Sequence, residues 1–262
     1  MKKQNMNGTP TLFQITSDSH IEQGSTFTDD KLAATDFQDL VEPLAHFLVL
    51  PGDIGSLYKL SQLRRFLSEA CSRHKHVVYV PGNYEYYHID EGDQILKMSQ
   101  LKSRLHLLAK EFDNLYVLDQ GCLDIGNIRI IGATLWTHLT RSKPYIVRIP
   151  EMTKALYNKL HQSDLEYIIK NIDRASKENK KVMVVTHYPP MIAPHTRKTR
   201  YRELYENNLK PAIFEKVAVW IYGHTHDNTK VENTNGCCFF TNQWGKTEGG
   251  ATGYRKNYII RM

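Results

Sequence analysis

Apolar residues along the chain fall into short runs, each followed by polar and turn-forming residues and then by a longer amphipathic stretch. The runs lie at 12–15, 47–50, 76–80, 181–185 and 217–222. They are β-branched or aromatic and bounded by turn residues, which reads as buried strands. Helices are predicted between them, near 35–44, 57–74, 94–112, 153–177 and 201–215. Alternation of this kind implies parallel pairing with helices on the outside. Two regions differ. Runs at 116–118, 122–125 and 128–131 crowd around Gly121 and Gly126-Asn127, and runs at 230–232, 237–241 and 257–261 crowd around Asn235-Gly236. These predict hairpins in an antiparallel or mixed part of a sheet. No linker-like segment or repeat interrupts the pattern, so residues 1–262 are expected to form a single α/β domain with two packed sheets and outer helices.

Composition narrows the class. Of the 262 residues, 41% are hydrophobic and 24% charged, enough to build a core and too apolar for a disordered chain. The net charge of +6 suits anionic partners such as phosphate esters, nucleotides or nucleic acid, or simply a basic surface. The basic start has no apolar run behind it, and no stretch suits a bilayer span, so neither a signal peptide nor a membrane segment is expected. The cysteines at 71, 122, 237 and 238 form no C-x-x-C pair. Reduced thiols in the cytoplasm fit them better than a disulfide framework or a structural zinc site.

The polar residues after the strands carry the chemistry. The first strand runs into Ser17-Asp18-Ser19-His20, the second into Pro51-Gly52-Asp53, and the third into Pro81-Gly82-Asn83-Tyr84-Glu85. Later strands run into Thr186-His187-Tyr188 and Gly223-His224-Thr225-His226. Each segment puts an oxygen or imidazole donor at the carboxyl end of a strand, and in a parallel sheet those ends share one edge. Asp, His and an Asn carbonyl suit first-row divalent metals such as Mn, Fe or Zn. On extended backbone, D-x-H and H-x-H would point both side chains to one face, so that each pair grips one site. Glycines 52, 82 and 223 precede the ligands, where the chain must turn tightly. Any one of these motifs is common by chance; the ordered set of five is specific.

The set resembles the calcineurin-like metallophosphoesterases, whose pattern is D-x-H, G-D, G-N-H-E/D, H and G-H-x-H. The resemblance runs from about residue 12 to 261 and extends to 78–87 and 132–136, as in small single-domain members. It implies a four-layer α/β/β/α sandwich of two mixed β-sheets flanked by helices. By position, Asp18, His20, Asp53 and His226 would hold one divalent ion, and Asp53, Asn83, His187 and His224 a second, with Asp53 bridging. The implied reaction is in-line attack on phosphorus by a hydroxide bridging two ions, with the ions also stabilising the phosphoryl oxygens.

The sequence departs from that pattern at Tyr84, which stands where the family has histidine. Tyrosine donates a hydrogen bond but is a poor proton donor at neutral pH. It is read as a weaker donor in the same place; transfer of the role to His88, loss of turnover, or simple packing are the competing readings. Catalytic roles are assigned to Tyr84, Glu85 and Asp53. Glu85 would hold its neighbour, or else be solvated. Asn83, Tyr84, His187 and Arg200 are the candidates for substrate contact. Arg202, Tyr201 and Tyr205 lie beside Arg200, against the alternative of a solvated helix start. Tyr188 is read as a pocket wall or packing, and Trp136 and His138 as cleft-lining or, for Trp136, core. The expected function is hydrolysis of phosphate mono- or diesters on a small molecule or protein. A non-catalytic metal-binding scaffold and a nuclease are the alternatives.

Overall fold

A computed structural model of the chain describes residues 10–22, 34–142, 144–191, 202–229, 233–245 and 251–262. Two five-stranded sheets form its centre. The first contains β1 (Leu12–Ile15), β2 (Phe47–Pro51), β3 (His76–Val80), β4 (Leu115–Val117) and β10 (Ile259–Arg261), in the order β10-β1-β2-β3-β4. Its strands are parallel except β10, which runs antiparallel to β1. The second contains β5 (Gly121–Ile125), β6 (Ile128–Ala133), β7 (Lys181–Thr186), β8 (Val219–Ile221) and β9 (Cys238–Phe240) in sequence order. Only the β5–β6 hairpin is antiparallel there.

The period-two alternation of the strands builds the layers. In β2, Phe47 and Val49 face the second sheet, while Leu48 and Leu50 face helices. In β7, Met183 and Val185 face the first sheet, while Val182 and Val184 face the opposite way. One apolar layer therefore fills the space between the sheets. A second lies between the first sheet and α1 (Ala34–Leu40), α2 (Leu60–Arg73) and α3 (Met98–Ala109). A third lies between the second sheet and α4 (Lys154–Lys177). The result is an α/β/β/α sandwich. Helix α2 buries Leu63, Phe66, Leu67 and Ala70, the i, i+3, i+4, i+7 stripe that a helix on a sheet requires. Helix α4 starts where the Thr153 hydroxyl accepts the Leu156 N–H at 3.1 Å. Among the described residues no helix is long and apolar enough to cross a membrane.

Three expectations need correction. The helix expected over 201–215 is not one helix across its described part, 202–215: two 3₁₀ turns, Arg202–Leu204 and Pro211–Lys216, flank an irregular segment. Pro211 has no N–H to donate and holds Lys210 extended, which breaks the helix that the apolar spacing suggested. The Asn207 and Leu209 N–H groups donate instead to the Pro189 and Pro190 carbonyls. Strand β4 belongs to the first sheet as a parallel partner of β3, not to a hairpin with β5. Likewise β9 pairs parallel with β8, and β10 crosses to the other sheet. The strand expected at 230–232 lies outside the described residues.

Candidate dinuclear metal site

The carboxyl ends of β1, β2 and β3 meet those of β7 and β8 along one edge, where cross-links between loops fix the ligands. The Asp18 N–H donates to the Gly52 carbonyl at 3.0 Å, and the His20 N–H to the Asp53 carbonyl at 3.1 Å. The Gly223 N–H donates to the His187 carbonyl at 2.9 Å. Between the sheets, the Thr134 hydroxyl donates to the Pro81 carbonyl at 2.8 Å. Close approach explains two glycines. A Cβ on Gly52 (φ +85°) would sit 2.5 Å from His187 Nδ1, and one on Gly82 would sit 2.2 Å from Asp53 Oδ1.

Two groups of donors result. Asp18, His20 and His226 present atoms within 4.8 Å of one another, and so do Asp53, His187 and His224. Asn83 joins the second group, its Oδ1 lying 3.0 Å from His187 Nε2. Asp53 Oδ2 stands between them, 3.8 Å from His20 Nε2 and 3.3 Å from His187 Nε2. The other carboxylate oxygen, Oδ1, accepts the Tyr84 N–H at 2.8 Å. All seven sequence candidates for metal binding thus converge.

Convergence does not come from extended backbone, as the spacing suggested. Asp18, His20, Asp53, His224 and His226 all have positive φ, between 44° and 75°. Such left-handed turns cost non-glycine residues about 1 kcal/mol or more each, and they cluster where function over-determines the geometry. They also separate the H-x-H pair: His226 joins Asp18 and His20, while His224 joins Asp53 and His187.

Hydrogen bonds on the far side of each ring fix the tautomers. His187 Nδ1 lies 2.9 Å from the Pro51 carbonyl, and His224 Nε2 lies 2.9 Å from the Leu204 carbonyl. Carbonyls only accept, so both nitrogens carry protons. His187 Nε2 and His224 Nδ1, 3.1 Å apart, are then lone pairs that face each other, Asn83 Oδ1 and Asp53 Oδ2. With both rings neutral, these four acceptors are the donor set of a divalent cation. Burial alone would push the His187 imidazole down, but the Asp53 carboxylate outweighs it and holds His187 at about 9. Burial would raise the Asp53 carboxyl, yet His187, His20 and His224 hold it far below the usual range. Burial and the neighbouring His187 push His224 down to about 3, keeping it a neutral ligand. On the other side, His20 Nδ1 faces Glu22 Oε1 at 3.4 Å, which leaves Nε2 for the site.

Glu85 is neither solvated nor in the cleft. Its buried carboxylate accepts the N–H groups of Asp53 (3.1 Å), Ile54 (2.9 Å) and Gly82 (2.8 Å), and the Tyr79 hydroxyl (2.6 Å). Burial and the nearby Asp53 charge push Glu85 up to about 8, while four donors favour the carboxylate form. It positions Asp53 and does not touch the reacting atoms. Tyr84 does line the cleft, its ring edge-on to His20 at 4.7 Å. Tyr188 lines it too, 4.1 Å from the His224 ring. His88 bonds the Asp93 carbonyl at 3.0 Å and is absent from the cleft wall, so it is not a substitute acid. Trp136 is core, and His138 lines a separate hollow. Arg202 turns to Glu206 at 3.4 Å. Arg200 and Tyr201 lie outside the described residues.

Three supports carried no signal in the sequence reading. The Ser17 hydroxyl donates to Asp18 Oδ2 at 2.6 Å. The Leu204 carbonyl orients His224, and main-chain acceptors leave no mark on residue type. Buried Gln243 accepts the His226 N–H at 2.6 Å and donates to the Thr225 hydroxyl at 2.9 Å, holding the H-x-H loop.

Fold and site together define a metal-dependent hydrolase of phosphoester bonds with a dinuclear divalent centre. The chain belongs to the calcineurin-like phosphoesterases, whose family model matches residues 13–228. An uncharacterized protein of Acanthamoeba polyphaga mimivirus is 24% identical, over 89% of this chain and 91% of its own. Among solved structures, the phosphopantetheinyl hydrolase PptH of Mycobacterium tuberculosis superposes with a TM-score of 0.73 at 13% identity, over 97% of this chain and 96% of its own. A dimetal phosphatase of Danio rerio gives 0.51 at 16% identity, over 89% and 87%.

Proposed function

We propose that residues 1–262 act as one phosphoesterase domain in which Asp18, His20, Asp53 and His226 hold one divalent ion. Asp53, Asn83, His187 and His224 hold the other, and the pair hydrolyses phosphate mono- or diesters. The observation that carries this reading is the placement of Asp53 Oδ2, which faces both donor groups at once. When bound, two such ions supply a nucleophile from water at neutral pH and neutralise charge on the phosphoryl oxygens.

The chain's own residues set the stage for that chemistry. The Tyr84 N–H engages Asp53 Oδ1 and so reserves Oδ2 for the two groups. Glu85 fixes the turn that carries Asp53. The Tyr84 side chain, at the cleft wall beside His20, is placed to donate a hydrogen bond to a phosphoryl or leaving-group oxygen. A phenol does not deliver a proton as readily as an imidazolium, so esters with good leaving groups are the favoured substrates. That same substitution supports a second reading, a metal-binding scaffold without turnover. A nuclease is disfavoured, because the described cleft wall contains no Lys or Arg to track a phosphate backbone.

One assay separates these readings. Mono- and diesters are tested with Mn²⁺, Fe²⁺, Zn²⁺ and Mg²⁺, with Asp53→Asn alongside. Metal-dependent hydrolysis that falls roughly a thousandfold in Asp53→Asn is expected, a loss of several kcal/mol of transition-state stabilisation. Two bound ions with no hydrolysis of any ester would favour the scaffold.

A further inference from the structure

The cleft has two unlike walls. One is the metal site. The other is built of tyrosines 84, 87, 188 and 205 with Ile146 and Leu204. The Tyr84 and Tyr87 rings lie 4.6 Å apart at 31°, on the side of His20. Tyr188 and Tyr205 flank the His224 ring at 4.1 and 5.7 Å, on the side of the second donor group. The Tyr188 hydroxyl is buried and accepts from the Tyr157 hydroxyl at 3.2 Å, so its polar end points away from the cleft and the ring lines it. Tyr205 is 37% exposed, a large half-open ring at the mouth.

Charge points the same way. The chain carries a net charge of +6, yet the described lining residues include no Lys or Arg. Many described cations are engaged elsewhere: Lys59 with Asp90 and Asp93, Arg64 with Glu111, Lys102 with Asp119, and Arg129 with Asp124. Among the described lining residues, anion recognition therefore falls to the metal ligands, whose ion pair accounts for one phosphoryl group. A second or third phosphate would lie against ring faces, whose negative quadrupole disfavours anions. The cleft volume of about 260 Å³ is enough for a phosphoryl group together with a ring system.

We infer that the substrate is an ester of a single phosphoryl group whose leaving alcohol bears an uncharged aromatic ring, held against the tyrosine wall with Tyr205 at its outer end. This rests on the dinuclear reading above and adds the substrate class to it. Tyr205 acts as a specificity residue: it contacts the organic part of the ester and leaves the phosphoryl end to the metal side.

The test is direct binding of two non-hydrolysable anions to the metal-loaded protein by titration calorimetry. Phenylphosphonate and methylphosphonate carry the same charged group and differ in the ring. Phenylphosphonate should bind about tenfold or more tightly than methylphosphonate, the range that ring stacking gives. Tyr205→Ala should shrink that ratio to about threefold or less by weakening phenylphosphonate alone, and Tyr205→Trp should keep it. Cyclohexylphosphonate, apolar but not planar, should fall between the two, and inorganic pyrophosphate should bind more weakly than phenylphosphonate. Equal affinity for the phenyl and methyl compounds would overturn the ring subsite while leaving the dinuclear phosphoesterase intact. Equal weakening of both by Tyr205→Ala would do the same, because it would place Tyr205 as support for His224. Binding of neither phosphonate to protein holding two ions would overturn both readings.

Discussion

The two halves of the metal site are held by different means. Around Asp53, Asn83, His187 and His224 the anchors are main chain or deeply buried: the Pro51 and Leu204 carbonyls orient the histidines, and Glu85 grips the turns at 53, 54 and 82. Around Asp18, His20 and His226 side-chain anchors predominate: Ser17, Glu22 at a longer 3.4 Å, and Gln243, with one main-chain donor, the His224 N–H, on the Asp18 carboxylate at 3.0 and 3.1 Å. The His226 side chain is also 28% exposed, whereas that of His187 is fully buried. Main-chain anchors need no side-chain entropy, and the Pro51 carbonyl is already ordered by β2, so the first half should be stiffer and bind its ion more tightly. The same fold edge thus offers one firm position and one more open position, joined through Asp53.

Breaking the brace of the firm half should have the largest effect. In Glu85→Gln the amide nitrogen must replace one of two oxygens that each accept two protein donors. Buried donors would then face a donor, costing on the order of 3 kcal/mol of stability. Because the turn carrying Asp53 loosens, kcat should also fall about a hundredfold with little change in KM. Denaturant unfolding and steady-state kinetics read the two effects. Wild-type kinetics in Glu85→Gln would remove the positioning role.

A smaller effect is expected in the open half. Gln243→Ala releases the H-x-H loop near His226 and should weaken one of two bound ions by roughly 10–100-fold. Chelator titration followed by elemental analysis should then show one ion lost early and the other retained. Simultaneous loss of both would contradict the distinction between the halves. The smallest effect concerns the residue beside the bridge. Tyr84→His should raise turnover of an alkyl phosphate ester about tenfold and that of a nitrophenyl ester less, since only the poor leaving group needs a proton. Equal gains on both esters would remove the leaving-group argument.

The difference between the halves also shows how far the sequence can be read. The layers follow from alternation: a run such as 47–50 has apolar side chains on both faces, and so must be covered on both. The seven ligands stood out because each follows a strand. Their grouping follows the D-x-H spacing for Asp18 and His20 but not the H-x-H spacing for His224 and His226, and the argument from spacing assumed an extended backbone that neither pair has. Left-handed turns at Asp18, His20, His224 and His226 leave no mark in the spacing, although Asp and His adopt them more readily than most non-glycine residues. The helix expected over 201–215 was a misjudged period, and Pro211 was there to argue against it. For Glu85 the sequence offers holding its neighbour or solvation, and only the fold shows the four donors that surround it in the interior. Arg202 reads as a cation near the motifs, and in the fold it pairs with Glu206 four residues on.

The central claim, two ions sharing Asp53, is tested most directly by electron paramagnetic resonance of the manganese-loaded protein. The expected spectrum at two Mn²⁺ per chain is that of an exchange-coupled pair, because one carboxylate oxygen faces both donor groups. A spectrum of isolated Mn²⁺ ions at full occupancy, or saturation at a single ion per chain, would contradict the account.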